Sequence, residues 1–157
     1  VRNPGGMYAL HFHAEQAPNP SSRIRLTGET DAFGVPRATI DLRFTDQDID
    51  SAMESHRLLD KALRGNGMGR LEYPGSPEEM RRHLWETASD GYHQVGTARM
   101  GEDPRTSVVD ADLKVHGLSN LYVASSAVFP TTGQANSTLL AVAFAVRLAH
   151  RLADLKP

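Results

Sequence analysis

Two short segments carry residues whose chemistries complement each other. The first, GYHQVGTARMG, runs from Gly91 to Gly101 and sets His93 in a loop with three glycines and one arginine. A histidine titrates near neutral pH and serves as base or acid. The second, FPTTGQANSTLL, runs from Phe129 to Leu140 and holds Asn136 just ahead of an apolar stretch. Asn136 or Ser137 is the natural N-cap of the helix that follows. A helix N-terminus offers free N–H groups and partial positive charge, which favour an anion or a polarised oxygen. Taken singly, each segment also has a plain reading: a loop histidine and a helix cap.

Two other patterns invite a chemical reading. His11 and His13 lie two apart on a candidate strand, a spacing that can grip a metal, but no third ligand is evident nearby. The preferred metal assignment is therefore none, and a metal-binding protein is the weakest alternative. GNGMGR, from Gly65 to Arg70, looks like a dinucleotide-binding glycine loop. That loop needs a strand before it and a helix after it, and here it follows a helix-like run. It reads as a helix stop.

The elements around these segments follow from periodicity. MYALHFHAE alternates Tyr8, Leu10 and Phe12 against Ala9, His11 and His13, the pattern of a strand. RIRLTGE and ATIDLRF alternate in the same way about the turn-rich TDAFGVP, which predicts an antiparallel hairpin with one buried face. Ile49, Ala52, Met53, His56, Leu59 and Leu63 then fall at helical spacing, with Thr45 and Asp48 placed as a cap and Gly65 as the stop. A second helix begins at Ser76, with Pro77 in its first position and Glu79 closing a capping box. His56 and His83 lie within these helices and read as packing or surface residues. Leu121 to Ala124 reads as a buried strand. The last helix, TLLAVAFAVRLAHRLADL, is apolar on nearly every side until Arg147 and is expected to be buried within something larger.

Composition bounds the function classes. The chain has 157 residues, no cysteine and a formal net charge of -2. The interspersed charges leave no electrostatic footprint for nucleic acid. The missing cysteines exclude a disulfide framework, a thiolate metal site and a cysteine nucleophile. They fit a reducing compartment, so a soluble, cytoplasmic setting is slightly favoured. The apolar run at Leu139 to Val146 is too short to span a bilayer. VRNPGGMYALHFH, starting at Val1, reads as a chain entered mid-protein.

Taken together, HQVGTARMG and SVVDADLKVHGLSNLYVASSAVFPTTGQANSTLLAVAFAVRLAHRL resemble the C-terminal signature of the glucose–methanol–choline (GMC) family of FAD-dependent oxidoreductases. EQAPNPSSRIRLTGETDAFGVP resembles, more loosely, the part of that family that forms the substrate-domain sheet. The resemblance implies oxidation of the CH–OH group of an alcohol or sugar, with hydride passing to FAD. His93 matches the active-site base and Asn136 the residue that hydrogen-bonds the same substrate oxygen. Ser125 and Ser126 match the stretch that approaches the flavin, although many members have an aspartate and small residues there. Asn136, Ser137 and Thr138 would face the flavin, with the start of the last helix stabilising negative charge on its pyrimidine edge. Arg99 would brace its loop through a carboxylate or contact the cofactor. The family's N-terminal FAD-binding glycine loop has no match here. The resemblance thus implies an N-terminal FAD-binding region, in the same parent chain or a separate subunit. Its fold class would be α+β: an antiparallel sheet with helices on one face (residues 1–90), then a return segment of the FAD-binding domain ending in a buried helix (residues 91–157). The alternative is a non-catalytic stand-alone fragment or binding module of that fold.

Overall fold

A computed structural model of the chain describes residues 3–73, 75–89, 91–133 and 136–155. Its elements are β1 (Arg23–Thr30), β2 (Pro36–Asp41), α1 (Asp46–Gly65), α2 (Pro77–Thr87), a 3-10 turn (Ser126–Val128) and α3 (Thr138–Asp154). The class is α+β, with one two-stranded antiparallel sheet among the described residues.

The hairpin forms where the alternation places it. Ile24 pairs with Ile40 and Leu26 with Ala38, and a bulge falls between Leu26 and Thr30. The Asp31 carboxylate fixes the turn by accepting from the N–H groups of Phe33 (2.8 Å) and Val35 (3.0 Å). The buried face expected for it is not there: Ile24, Leu26 and Ile40 are 52%, 72% and 74% exposed. Among the described residues no helix packs on the sheet, so the expectation of helices on one face is also corrected. MYALHFHAE departs in the same way. Among the described residues it joins no sheet.

The helices match their end signals. At the start of α1 the Asp48 carboxylate accepts from the backbone N–H of Thr45 (2.7 Å) and from its hydroxyl (2.8 Å). Gly65 is the last residue of α1. At α2 the Glu79 carboxylate accepts from the Ser76 N–H (2.7 Å), while the Ser76 hydroxyl accepts from the Glu79 N–H (3.2 Å). Ile49, Ala52 and His56 form the buried stripe of α1. Arg81 of α2 ties the two helices by pairing with Asp46 and Asp50 of α1. GNGMGR continues from α1 into irregular chain, without the strand–loop–helix order of a nucleotide site.

The hydrophobic core lies in the second half of the chain. Val109, Leu113, Val128, Phe129 and Leu148 are buried together, with Val95, Met100, Val115, Tyr122, Val123, Ala141 and Phe144 around them. Leu113 is fully buried although its φ of 64° lies in the left-handed region. The Leu121–Ala124 stretch forms an isolated bridge, Lys114 to Tyr122, and Leu121 is exposed, so the expected buried strand is reduced to that bridge. α3 lays Ala141, Phe144 and Leu148 on this core. It is not buried all round: Leu139, Leu140, Val142 and Val146 stand exposed, because only one of its sides meets the rest of the chain. No helix among the described residues is long and apolar enough to cross a membrane.

Candidate active site

The first segment singled out in the sequence is joined by backbone to the 3-10 turn that precedes the second. Residues 94–100 run beside the 3-10 turn: the N–H groups of Gly96, Ala98 and Met100 donate to the carbonyls of Ser126 (3.4 Å), Ala127 (2.8 Å) and Val128 (2.8 Å). The Ser126 hydroxyl donates to the Gln94 carbonyl (3.1 Å). His93 immediately precedes this pairing, and the Thr131–Ser137 loop immediately follows it. Gly96 is needed in the pairing: its φ is +75°, and a Cβ there would lie 3.2 Å from the Phe129 carbonyl oxygen.

His93 is exposed, and its Nδ1 lies 3.1 Å from the Gly91 carbonyl. A carbonyl can only accept, so Nδ1 carries the proton and donates. In the neutral ring that leaves the lone pair on Nε2, the arrangement a general base uses. Tyr92, just before it, has a φ of 60°. A bulky residue in the left-handed region is strained, a condition that clusters at working sites. The ring of His13 meets that of His93 edge to face, with centroids 6.2 Å apart. Gly91 makes room for this contact, since a Cβ there would lie 3.1 Å from His13 Nδ1. His13 is therefore beside the candidate base and not part of a paired metal grip with His11. Among the described residues no group of three or more His, Cys, Asp or Glu side chains could hold a metal.

Asn136 is exposed ahead of α3, and Ser137 is the N-cap residue. Ser137 has helical angles (φ -71°, ψ -17°), and its hydroxyl makes no capping bond. The N–H groups of the first turn, beginning at Thr138, are thus not met by that side chain. Ser125 and Ser126 serve their own loop. The Ser125 hydroxyl accepts from the Ala127 N–H (3.2 Å), and that of Ser126 reaches Gln94. Arg99 braces its loop as well, but through a backbone carbonyl: its Nη2 donates to Thr106 O at 2.6 Å. The carboxylate partner expected for it is not used. Of the TTGQANS stretch, Gln134 and Ala135 lie outside the described residues.

Three contacts escaped the sequence reading. His13 beside His93 is one. The second is Glu15, whose carboxylate accepts from the Thr131 hydroxyl (2.8 Å) and from the Thr132 N–H (3.1 Å). The third is His116, whose Nε2 lies 3.0 Å from the Ser107 hydroxyl and 3.1 Å from the Gly101 carbonyl, closing the loop behind the site. None has a local sequence signal, since each joins residues that only the fold brings together.

His93, with Nδ1 on the Gly91 carbonyl, and Asn136, exposed ahead of α3, are residue types that can take a proton from a hydroxyl and hydrogen-bond an anionic oxygen. Known proteins share the framework that holds these residues. The chain is 35% identical over 153 residues to the fructose dehydrogenase large subunit of Gluconobacter japonicus, covering 96% of this chain and 25% of that protein. It is 32% identical over 136 residues to paromamine 6'-oxidase of Streptomyces fradiae, covering 87% of this chain and 24% of that one. Pyridoxine 4-oxidase from Mesorbium loti superposes with a TM-score of 0.65 at 26% identity, over 88% of this chain and 28% of that chain. A formate oxidase from Aspergillus oryzae RIB40, an FAD-containing protein, superposes with a TM-score of 0.61 at 25% identity, over 84% of this chain and 25% of its own. The chain thus spans about a quarter of the length of the relatives it matches. The GMC oxidoreductase family profile matches residues 18–145, from ahead of β1 to well inside α3, and the chain belongs to that family.

Proposed function

We propose that this chain is the C-terminal part of an FAD-dependent oxidoreductase that oxidises the CH–OH group of an alcohol or sugar. The observation that carries the reading is the His93 ring, whose Nδ1–H is held by the Gly91 carbonyl so that Nε2 is free to accept a proton. In this reading Nε2 takes the hydroxyl proton of the substrate, and the Asn136 side-chain amide hydrogen-bonds the same oxygen. Loss of that proton makes the carbinol carbon a better hydride donor. FAD, when bound, supplies the hydride acceptor.

The residues present fit one half of that cofactor. The start of α3, with no cap from the Ser137 hydroxyl, suits an electron-rich ring edge, and Asn136, Ser137 and Thr138 would hold it there. Ser125 and Ser126 would act mainly by shaping the backbone beside the ring, because their hydroxyls already serve the loop. The adenosine half has no counterpart, since GNGMGR leads out of a helix and not out of a strand. An N-terminal FAD-binding region, in the same parent chain or a separate subunit, completes the site in this reading. Residues 1–90 then belong to the substrate domain and 91–157 to the FAD domain. The region also covers the exposed apolar faces of the hairpin and α3.

The first test is the intact mass of the protein from its source, with the absorbance spectrum of the native sample. A flavin spectrum with a larger polypeptide or a second subunit supports the reading, and His93→Ala then abolishes turnover. A lone, colourless chain favours the alternative, a non-catalytic fragment or binding module of the same fold. Unchanged turnover in His93→Ala removes His93 as the base.

A further inference from the structure

The segment from Phe12 to Ala17 touches three separate parts of the protein. Phe12 packs edge-on against His56 of α1, with ring centroids 4.7 Å apart. His13 meets His93. Glu15 reaches Thr131 and Thr132, 116 and 117 residues away in sequence. The far end of the segment is fastened to the start of α1. The Gln16 amide donates to the Arg43 carbonyl (2.5 Å), and the Ala17 N–H donates to the Asp48 carboxylate (2.8 Å). This is a strap anchored on the helical half of the chain and laid against His93 and the Thr131–Thr132 pair.

Glu15 is the part of the strap with the most directional hold. A carboxylate that accepts from a hydroxyl and a backbone N–H of adjacent residues restrains the loop in two directions. Those residues end four positions before Asn136. From this geometry we propose that Glu15 is a positioning residue, which sets Asn136 against the substrate oxygen held at His93. The strap also carries His13, whose ring meets that of His93. The inference rests on the oxidoreductase reading above, and it assigns a role to a residue that never touches substrate.

The test uses the flavin-loaded protein together with its N-terminal FAD-binding region. Turnover is expressed per bound flavin in Glu15→Ala, Glu15→Gln, Thr131→Val and His93→Ala. Displacing a positioned group by about 1 Å costs up to about a hundredfold in rate, so kcat of Glu15→Ala is expected to fall by about ten- to a hundredfold with KM little changed. Glutamine keeps an acceptor for the Thr132 N–H and a partner for the Thr131 hydroxyl, so Glu15→Gln recovers most of kcat. A purely structural role would lower flavin content or melting temperature and leave kcat per flavin intact. Thr131→Val removes one of the two bonds and gives an intermediate loss, which keeps the inference testable if Glu15→Ala does not fold. Full kcat per flavin in Glu15→Ala or Thr131→Val, or a glutamine variant no better than alanine, overturns it. If His93→Ala also keeps its turnover, the oxidoreductase reading itself fails. If His93→Ala is dead and Glu15→Ala is not, only the positioning role is lost.

Discussion

His56 offers a quantitative check on the helical half. It lies on the inner stripe of α1 with Ile49 and Ala52, is 8% exposed, and packs against Phe12 and Tyr73. Neither Nδ1 nor Nε2 finds a hydrogen-bond partner among the described residues. Burial alone pushes its pKa below the ordinary histidine value of 6.5. The folded state thus prefers the neutral ring, and the unfolded chain binds the proton first as pH falls. Stability from this group is therefore complete above the unfolded value and drains away as pH drops below it. One pH unit of travel is worth about 1.4 kcal/mol, so between about pH 8 and about pH 5.5 His56 costs at most about 1.4 kcal/mol. His56→Leu removes the titration and the two unpaired nitrogens. Urea unfolding, followed by far-UV circular dichroism at both pH values, reads the difference between the two proteins. The leucine variant should be no less stable at the higher pH and should gain on the wild type as pH falls. An unchanged difference across that range would refute the assignment of a buried, unpaired imidazole.

Two further substitutions test backbone geometry near the core. Gly96→Ala forces a side chain into a left-handed position 3.2 Å from the Phe129 carbonyl and should cost at least about 1–2 kcal/mol. An unchanged melting temperature would contradict that geometry. Leu113→Ala removes a fully buried side chain and should cost about 2–5 kcal/mol. Leu113→Gly should be at least as stable as the alanine variant, an inversion of the usual order, because glycine relieves the left-handed strain. Alanine clearly above glycine in a thermal melt would argue against a positive φ at Leu113.

The legible parts of this fold were the ones written locally. Thr45 with Asp48 and Ser76 with Glu79 mark helix starts within four residues, and both helices begin there. The hairpin strands are equally plain, since TDAFGVP interrupts two alternating runs and Asp31 closes the turn. What covers those strands was not legible. Alternation in Ile24, Leu26 and Ile40 reports a preference for a partner surface, and within these residues nothing supplies one. α3 carries the same lesson: its apolar sequence records how much the helix could bury, and within these residues only one side is covered. His93 and Asn136 were singled out by residue type and surroundings, and their proposed roles come from the family resemblance. The strap that meets His93 and the Thr131–Thr132 pair was not singled out, because His13 and Glu15 act across the fold and no periodicity encodes such a contact. MYALHFHAE was read as a strand from its alternation, although in the fold it brings His13 to His93 and Glu15 to Thr131 and Thr132.

The pairing of residues 94–100 with the 3-10 turn also closes on itself behind the site. The Gly101 N–H donates to Val109 O (2.9 Å), and the Val108 N–H donates to Arg99 O (2.8 Å), so the chain leaves and returns through one narrow neck at Glu102–Ser107. Such a neck is a natural point for lengthening. Extra residues inserted at Asp103–Arg105 would bulge outward at a loop-closure cost that grows only slowly with length. The spacing between His93 and α3 is tied to the pairing of residues 94–100 with Ser126–Val128, which flank that loop on both sides in the sequence. A lineage could therefore elaborate this tip, or a protein engineer graft a binding loop onto it, while the candidate active site keeps its register.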